Sequence, residues 1–324
     1  GIGNYVEGTG LGPFEGATVR IGPSGKIVLA SGAAPQGQGH RTTMAQICAE
    51  KFGVGIEDVE VHLPDTTMIA HGVGTFASRI AANAGPSVHL ASLEVREKVI
   101  KIAAHMLEAA EEDIELEDGK VFVQGVPDMS LTLGQVAHAV AGTPGFAMPP
   151  GFDPGLEATH YFSPEQSAYC NGCHVAEVEV DRETGHVTIL RYVIAHDAGN
   201  LINPMVVDGQ VQGGFAHGIG NALFEEQHYD DNANPLTTTF AEYLLPAAGD
   251  VIDAETIHVE SPSPLNPLGV KGAGEGGTIP AAAAIIAAVE NALKPYGVVL
   301  TDVPATPMSL IAKIAAGSPS QAAE

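Results

Sequence analysis

Three residues in the middle of the chain have the spacing of a cofactor-attachment motif. Cys170, Cys173 and His174 follow one another as C-x-x-C-H within YCNGCHVAEVEV. This spacing is typical of covalently attached c-type haem, which would make the chain an electron-transfer module. Against this interpretation, no export signal is visible, and the alternation after His174 predicts a strand that leaves little room for an axial ligand. We therefore interpret the match as chance spacing, with both cysteines in a turn, either as reduced thiols or as a local redox-sensitive pair.

Three glycine-rich segments could present backbone N–H groups to a ligand. They are QGQG at 36–39, GTFAS at 74–78 and GVKGAGEGG at 269–277. Glycine lets a ligand approach the backbone closely, and successive N–H groups can form anion-binding concavities. None of the three matches the P-loop or the dinucleotide-binding fingerprint. One such segment is usually an ordinary turn, but three in one chain favour a ligand site.

Glu275, with a glycine on each side, is the candidate catalytic residue. A carboxylate in a loop is usually just solvated. In a tight glycine loop beside an apolar helix, burial would instead bring it into the working range of a general base. Lys271, four residues earlier, could oppose this effect or position the loop. His40, beside the first glycine segment, is more often a satisfied structural histidine than a pocket residue.

Alternating and helical patterns predict the elements that must position these residues. Hairpins are predicted at 17–31, at 114–123 around Asp118-Gly119, and around DRETG at 181–185. A strand is predicted at 58–63. Helices are predicted at 44–53 with a stop at Gly53, at 87–109, from the Asn203-Pro204 cap onward, and at 280–297.

The helix that begins at Asn203-Pro204 contains glycines at 209, 213, 214, 218 and 220. Glycine lowers helix propensity, so this many indicates that a ligand or a facing element approaches the backbone closely. Residues 143–169 contain five prolines and little periodicity, which predicts an irregular connection between lobes. We therefore predict an α+β fold with two lobes of mixed β-sheet and packed helices, residues 1–150 and 151–324. Glycine loops from both lobes should converge on one cofactor cleft.

The composition argues against two classes of partner. The 324 residues include 39 acidic and 14 basic side chains, a net charge of -25, which repels phosphate backbones and anionic lipid. Nucleic acid and membrane partners are therefore not expected. Three cysteines are too few for a disulfide scaffold, and Cys48, in a predicted helix, should be a small buried residue. No transmembrane run or signal peptide is visible, which predicts a cytoplasmic location.

Five sequence blocks, taken together and in this order, resemble one enzyme family. The blocks are QGQGHRTTMAQICAEKFGV, GVGTFASRIAANAG, HVAEVEVDRETGHV, HDAGNLINPMVVDGQVQGGFAHGIGNAL and GVKGAGEGG. They resemble the C-terminal half of the molybdopterin-binding subunit in the xanthine oxidase family of molybdenum hydroxylases. The similarity covers essentially the whole chain up to about residue 316. GVGTFASR is most similar to the bacterial branch that includes aerobic carbon monoxide dehydrogenases and nicotinate dehydrogenase.

The resemblance implies roles for individual residues. Glu275 matches the family's catalytic glutamate, a general base that takes the proton from a molybdenum-bound hydroxide while the metal accepts the electrons. Gln38, between Gly37 and Gly39, matches a glutamine that hydrogen-bonds the cofactor near the metal, and Gln210 matches another cofactor-side glutamine. Further cofactor contacts are implied for Phe76, Ala77, Ser78, Arg79, Lys271 and Gly274. The pterin dithiolene holds the molybdenum in this family, so no residue of the chain is expected to ligate it.

The resemblance also implies further cofactors and partner chains. The cofactor bound here is molybdenum-molybdopterin, in its cytosine dinucleotide form. The family also uses [2Fe–2S] clusters and FAD. Three cysteines cannot ligate the clusters, which places them on an iron–sulfur subunit, with FAD on a further subunit.

The family's molybdenum subunit is usually more than twice as long as this chain. Either another chain supplies the N-terminal half, as in a split subunit, or this chain is a fragment. Gly1, where a complete chain would begin with Met, is compatible with both alternatives. The implied assembly is a dimer of heteromers, and the chain is not expected to bind the cofactor productively alone.

The implied activity is the oxidation of a carbon centre in a small molecule, an N-heterocycle or an aldehyde, with water as the oxygen source. Phe76 would suit a flat heterocycle in the substrate pocket, although packing against the cofactor is an equal alternative. A large-subunit fragment of the carbon monoxide dehydrogenase type, a c-type haem module and a cofactor-free scaffold are the competing interpretations. The intact Gln38, 74–79 segment and Glu275 argue against the scaffold.

Overall fold

The computed structural model describes residues 1–142, 144–145 and 147–317 of the chain. Eleven strands are described: β1 (Ile2–Thr9), β2 (Glu15–Ile21), β3 (Ile27–Ser31), β4 (Val59–His62), β5 (Ile114–Glu117), β6 (Lys120–Val123), β7 (Val126–Thr132), β8 (Leu156–Phe162), β9 (Ala168–Val180), β10 (Val187–Asp197) and β11 (Glu255–His258). Six α-helices are described: α1 (His40–Phe52), α2 (Ile80–Leu107), α3 (Leu133–Ala139), α4 (Pro204–Ile219), α5 (Ala281–Leu293) and α6 (Pro307–Ala316). The chain divides into two compact units.

One unit consists of residues 9–168 and 262–272. Its main sheet has the order β4-β3-β2-β8, with β2 antiparallel to β3 and β8, and β3 parallel to β4. A three-stranded antiparallel sheet, β5-β6-β7, completes the strands of this unit. Helix α2 packs on β2 and β8, and its buried residues Val88, Val95 and Val99 face the core.

Local sequence explains the ends of helix α1 in this unit. Gly39 at the N-terminus and Gly53 at the C-terminus both adopt left-handed backbone conformations, at φ 77° and 59°. The Gly53 N–H donates to the carbonyl of Ala49, which closes the helix in the manner of a glycine stop. Cys48 is fully buried on this helix, as predicted.

The other unit consists of residues 1–8, 169–261 and 273–324. Its sheet has the order β1-β9-β10-β11, with β9 antiparallel to β10 and β10 parallel to β11. Helices α4 and α5 supply most of the helical part of its core. Asn203 caps α4, since its side-chain oxygen accepts from the Val206 N–H at 3.1 Å, and Pro204 occupies the first helical position.

The α+β class with mixed sheets is confirmed, because both sheets that carry the long strands contain parallel and antiparallel pairs. The three predicted hairpins, the Gly53 stop of α1 and the Asn203-Pro204 cap of α4 are confirmed as well, although α1 begins at His40, four residues before its predicted start. Asp118 and Gly119 both have positive φ, 49° and 68°, as the predicted two-residue turn requires. The lobe boundary between residues 150 and 151 stays a prediction.

Three predictions about local structure were wrong. Residues 143–169 are not wholly irregular, since they include strand β8, whose Leu156 and Ala158 alternate with exposed residues; Thr143 and Phe146 of this stretch lie outside the described residues. Helix α2 begins at Ile80, seven residues before the predicted start, and contains Pro86. Cys170 and Cys173 lie within strand β9 and not in a turn.

Candidate functional site

The second glycine segment is held by a buried ion pair between Arg79 and Glu15. Their side chains are fully buried, and Arg79 Nη1 lies 2.6 Å from Glu15 Oε1. The guanidinium also donates to the carbonyls of Leu11, Phe14 and Gly74 at 2.7–2.8 Å. Glu15 Oε1 in turn accepts from the backbone N–H of Gly74 at 2.8 Å. Charge-assisted bonds of this kind fix the loop backbone in one position.

The residues just before Arg79 adopt an uncommon backbone conformation. Ala77 and Ser78 have φ values of 48° and 45°, although neither is glycine. Such left-handed residues cost roughly 1 kcal/mol or more each and persist where the surroundings hold them. A Cβ atom added at Gly272 would overlap the Ser78 carbonyl oxygen, so the third glycine segment passes directly against this turn. The glycine at 272 is therefore required by the close approach of the two loops.

The first glycine segment contacts the second one in the same unit. Gln36 Nε2 donates to the Thr75 carbonyl at 3.3 Å, and the Thr75 hydroxyl donates to the Ala34 carbonyl at 2.6 Å. The side chain of Gln38 accepts from the Gln36 N–H at 2.5 Å. Gly37 is exposed, with φ 101° and open space on its Cβ side. The loop thus leaves room for a ligand beside its backbone.

Two helices begin at these loops without side-chain caps. Neither α1, which follows Gly39, nor α2, which follows Arg79, has a capping side chain or an acidic residue in its first turn. The N–H groups at both helix starts therefore keep their capacity to bind an anionic or hydrogen-bonding ligand. His40, the first residue of α1, is buried, and desolvation lowers its pKa to about 4, so it is neutral at pH 7.

Phe76 is the aromatic residue of this loop cluster. Its side chain is 48% exposed, and its ring lies over the Arg79 guanidinium, 5.0 Å from ring centroid to Cζ. The cation–π contact orients the ring while one face stays accessible. Lys271, on the third segment, is half-buried in the same unit.

Glu275 and Gly274 belong to the other unit and are exposed in this chain. The expected burial of Glu275 is therefore not provided by the described residues of its own unit. Its backbone, by contrast, is anchored, because the Glu275 carbonyl accepts from the N–H groups of Thr278 and Ile279 at 2.9 and 3.1 Å. The turn that these bonds close leads directly into the buried helix α5.

The glycines after Glu275 pass between helix α4 and the sheet. A Cβ atom at Gly277 would overlap the carbonyl of Val211 on α4, and one at Gly214 would lie 2.8 Å from the Gly277 backbone. Gly209 and Gly213, in contrast, have open space on their Cβ sides. Facing elements therefore account for Gly214 and for Gly218, which meets Ala281 of α5, whereas Gly209 and Gly213 leave a surface clear. Gln210, the predicted cofactor-side glutamine, lies half-buried next to Val211.

The C-x-x-C-H segment is part of a strand and not an attachment site. Cys170 and His174 are buried on one face of β9, whereas Cys173 lies on the other face. His174 Nδ1 is hydrogen-bonded to the Tyr192 hydroxyl at 2.9 Å, and desolvation, with a smaller effect of His196, lowers the pKa of His174 to about 4. Three strand residues span about 10 Å, beyond the reach of a disulfide, and all three cysteines are free. The alternative of a local redox-sensitive pair was therefore wrong, whereas the interpretation of the match as chance spacing with reduced thiols agrees with the structure.

The unit with residues 9–168 thus brings together most of the predicted cofactor residues. Gln38, Phe76, Ala77, Ser78, Arg79 and Lys271 lie there, with Gly37 and Gly39. Exposed glycine backbone, two uncapped helix starts and a buried arginine suit a ligand rich in phosphate and hydrogen-bonding groups. Within residues 1–142, 144–145 and 147–317, no group of three or more His, Cys, Asp or Glu side chains could hold a metal ion.

Comparison with known proteins shows the family to which the chain belongs. The sequence profile of the molybdopterin cofactor-binding domain family matches residues 1–252. The large subunit of nicotine 6-hydroxylase from Paenarthrobacter nicotinovorans is 41% identical over 295 residues, 91% of this chain and 36% of that protein. The carbon monoxide dehydrogenase large chain from Hydrogenophaga pseudoflava is 36% identical over 297 residues, 92% of this chain and 36% of that protein.

The fold of the chain is also similar to that of a solved structure. Quinoline 2-oxidoreductase from Pseudomonas putida 86 superposes with a TM-score of 0.88 and 41% identity, over 98% of this chain and 42% of that chain. The chain therefore spans less than half the length of these relatives. The profile ends at residue 252, so the Glu275 loop lies outside it. No helix of the described part of the chain is long and apolar enough to cross a membrane.

Three residues of the site region escaped the sequence analysis. Glu15 lies 64 positions from Arg79, and Tyr5 lies 191 positions from His196, to which its hydroxyl is hydrogen-bonded. The sequence carries no local signal for such pairs. An isolated acidic residue at the start of a buried strand, as Glu15 is at the start of β2, was the one available hint.

Proposed function

Because the chain belongs to the molybdopterin cofactor-binding family of the xanthine oxidase type, we propose that it forms the catalytic part of a molybdenum hydroxylase. The enzyme would oxidise a carbon centre of a small molecule with water as the oxygen source. The observation that carries this proposal is Glu275, an exposed carboxylate on a backbone fixed by two hydrogen bonds and by close contacts on two sides. A carboxylate so placed can accept a proton from a group above the loop.

The cofactor would be held by the loop cluster around Arg79 and by the clear face of α4. Backbone N–H groups of Gly37 and Gly39 and the starts of α1 and α2 would bind its phosphate and polar groups. Gln38 and Gln210 would hydrogen-bond it, with further contacts from the 76–78 turn, Lys271 and Gly274. When bound, the molybdenum cofactor supplies the oxygen nucleophile and takes up the electrons.

The residues of this chain would supply a base, orientation and a shaped surface. Glu275 holds the proton that the reaction releases, and its exposed position requires that another surface exclude water from it. Arg79 fixes the loop that lines the cofactor, because its guanidinium is buried and engaged with four backbone and side-chain acceptors. We propose positioning, and not direct contact, as the role of Arg79.

A flat N-heterocycle is the substrate class that we favour. Two relatives at 41% identity bear names that refer to nicotine and quinoline, and Phe76 offers an exposed ring on which such a substrate could stack. The alternative is carbon monoxide oxidation, since carbon monoxide dehydrogenase large chains are also relatives. Turnover of N-heterocycles by the purified enzyme supports the first assignment, and turnover of carbon monoxide alone supports the second.

We also propose the partners and the cofactor form. A polypeptide equivalent to the rest of the relatives' large subunit would complete the pocket, and iron–sulfur and FAD subunits would carry electrons away, in a dimer of heteromers in the cytoplasm. The two lobes would be residues 1–150 and 151–324. Metal analysis and nucleotide release from the native complex should give molybdenum and a cytidine nucleotide, and a complex without molybdenum contradicts the proposal.

Substitution of Glu275→Gln tests the assigned base. The amide keeps the size of the side chain but cannot take up the proton, so kcat should fall at least ~100-fold with an unchanged molybdenum content. Glu260→Gln, which alters another exposed glutamate of the same unit, is the matched control and should leave kcat within about twofold. If Glu275→Gln turned over substrate within a few fold of wild type, the assignment would be wrong.

A further inference from the structure

A buried tyrosine and histidine lie directly beneath the Glu275 loop. Tyr5, on β1, and His196, on β10, are 6% and 1% exposed, and the Tyr5 hydroxyl lies 2.5 Å from His196 Nδ1. Both residues belong to the same unit as Glu275. The pair is not needed to fill an apolar core, because two smaller apolar side chains would do that without the cost of burying polar groups.

The pair forms the surface on which Gly276 rests. A Cβ atom at Gly276 would lie 2.5 Å from the Tyr5 hydroxyl oxygen and 2.7 Å from His196 Cε1. On its other side the segment meets α4, where Gly277 approaches the Val211 carbonyl too closely for any side chain. The backbone that follows Glu275 is thus confined between the hydroxyl–imidazole pair and a helix. Any displacement of the Tyr5 and His196 side chains must therefore move the Gly276 backbone and, with it, the Glu275 carboxylate.

Further polar residues keep the Tyr5 hydroxyl protonated and in place. Desolvation raises the pKa of Tyr5, and the neighbouring Cys170 and Glu7 raise it further, so the group is a neutral phenol, hydrogen-bonded to His196. The Cys170 thiol lies 3.2 Å from Glu7 Oε2 and links the hydroxyl to that carboxylate. A hydroxyl held in one orientation by several partners, as that of Tyr5 is, makes a rigid support.

We propose that Tyr5, together with His196, is a positioning residue for Glu275: the hydroxyl–imidazole pair sets the height and direction of the loop that carries the carboxylate. The inference rests on the proposed role of Glu275 as general base. Proton transfer requires hydrogen-bond distance, and a displacement of about 1 Å can lower a rate up to ~100-fold. The pair acts through the Gly276 backbone and touches neither substrate nor cofactor.

The chain offers a matched control for this proposal. Tyr192 likewise has a buried hydroxyl that is hydrogen-bonded to a histidine of the same sheet, His174, at 2.9 Å. Its ring stacks on Phe215 of α4, 4.0 Å between centroids, and not on the Glu275 loop. Tyr5→Phe and Tyr192→Phe each remove one buried hydroxyl and its hydrogen bond to a histidine, and only the first removes the support of Gly276.

The variants are compared in the complete enzyme that contains this chain. Tyr5→Phe should lower kcat about 10- to 100-fold with KM within about threefold and with a normal molybdenum content. Tyr192→Phe should keep kcat within about twofold. Hydrogen exchange gives a readout independent of turnover: the amides of Thr278 and Ile279, which close the Glu275 turn, should exchange at least ~10-fold faster in Tyr5→Phe than in Tyr192→Phe.

Equal kinetic losses and equal exchange rates in the two variants would overturn the proposal, because the tyrosines would then be interchangeable core residues. Glu275→Gln, measured in parallel, separates the two hypotheses. If Glu275→Gln abolishes turnover and Tyr5→Phe changes neither kcat nor exchange, only the positioning role fails. If Glu275→Gln is active, the proposed base itself fails.

Should Tyr5→Phe not assemble, Gly276→Ala tests the same contact from the loop side. The added methyl would meet the Tyr5 hydroxyl, so this variant should show the same fall in kcat and the same faster exchange of the Thr278 and Ile279 amides. Wild-type behaviour of Gly276→Ala would overturn the proposal as well, because the loop would then not rest on the pair.

Discussion

The buried ion pair between Arg79 and Glu15 stabilises the glycine segment at 74–78. A buried charge left without its partner is strongly destabilising, whereas an exposed pair contributes little. Glu15→Gln keeps the shape of the side chain but leaves the Arg79 charge uncompensated in a fully buried site. The free energy of unfolding of this unit should fall by about 3 kcal/mol in chemical denaturation, and the enzyme should retain less molybdenum.

The control for this prediction is another arginine–glutamate pair. Arg191 and Glu255 make two hydrogen bonds at 2.7 and 2.8 Å, but their side chains are 60% and 57% exposed. Glu255→Gln should therefore leave the free energy of unfolding nearly unchanged. Equal losses in the two variants would show that burial does not set the strength of the Arg79 pair.

At the residue scale, the sequence identified side chains that stand out locally. Glu275 between glycines, Gln38 between glycines and the 74–79 segment could all be named from their neighbours and from the family resemblance. Glu15, Tyr5 and His196 could not, because their partners lie 64 and 191 positions away and their importance arises only from packing. Local sequence signals thus point to candidate side chains, whereas residues that support them from distant parts of the chain carry no such signal.

At the element scale, helix α4 contains glycines of two kinds, those that face open space and those that a neighbouring segment contacts closely. Gly213 has open space on its Cβ side, whereas Gly214 faces the Gly277 backbone. Gly213→Ala should stabilise the isolated chain by up to about 1 kcal/mol, because alanine favours the helix. Gly214→Ala should destabilise it, because the Gly277 loop must move away. Thermal unfolding of the two variants measures the difference.

The same substitutions also test the clear face of α4 as part of the cofactor site. If the cofactor lies against Gly213, then Gly213→Ala will lower the molybdenum content of the assembled enzyme although it stabilises the free chain. An enzyme that keeps its full molybdenum content with alanine at both 209 and 213 would show that the cofactor does not approach this face.

Elements with strong end signals were predicted well, and elements without them were not. The Asn203-Pro204 cap and the Asp118-Gly119 turn each have a direct backbone cause, and both are confirmed. The start of α2 was missed because its first turns consist of small residues around Pro86, with little apolar periodicity. Strand β8 was missed because prolines flank it, although its own pattern alternates.

At the scale of the whole molecule, the site residues divide between the two units. The loop cluster around Arg79 belongs to residues 9–168 and 262–272, and Glu275 and Gln210 belong to the other unit. The boundary between the units falls within the third glycine segment, between Gly272 and Ala273. That segment therefore connects the loop cluster around Arg79 to the proposed base, and its glycines have different packing partners in the two units.

Each unit also contains a buried histidine whose pKa is lowered to about 4, and these two histidines predict how the stability of the chain responds to acid. Burial lowers the pKa of His40 and of His174 to about 4, against about 6.5 in an unfolded chain. The unfolded state therefore binds more protons between these values, so stability is fully present above pH 6.5 and is lost as the pH falls toward 4. Between pH 7.5 and 5.0, each unit should lose about 2 kcal/mol of unfolding free energy.

The net charge of -25 acts in the opposite direction, because acidification weakens the repulsion among carboxylates. Most carboxylates remain ionised at pH 5, so the histidines should dominate in this window. Urea unfolding at pH 7.5 and 5.0 measures this loss of unfolding free energy. His174→Gln should abolish the part of the loss that comes from its own unit. His186→Gln, at an exposed position, should leave the loss unchanged. If the wild-type chain were equally stable at the two pH values, burial of these histidines would not control its response to acid.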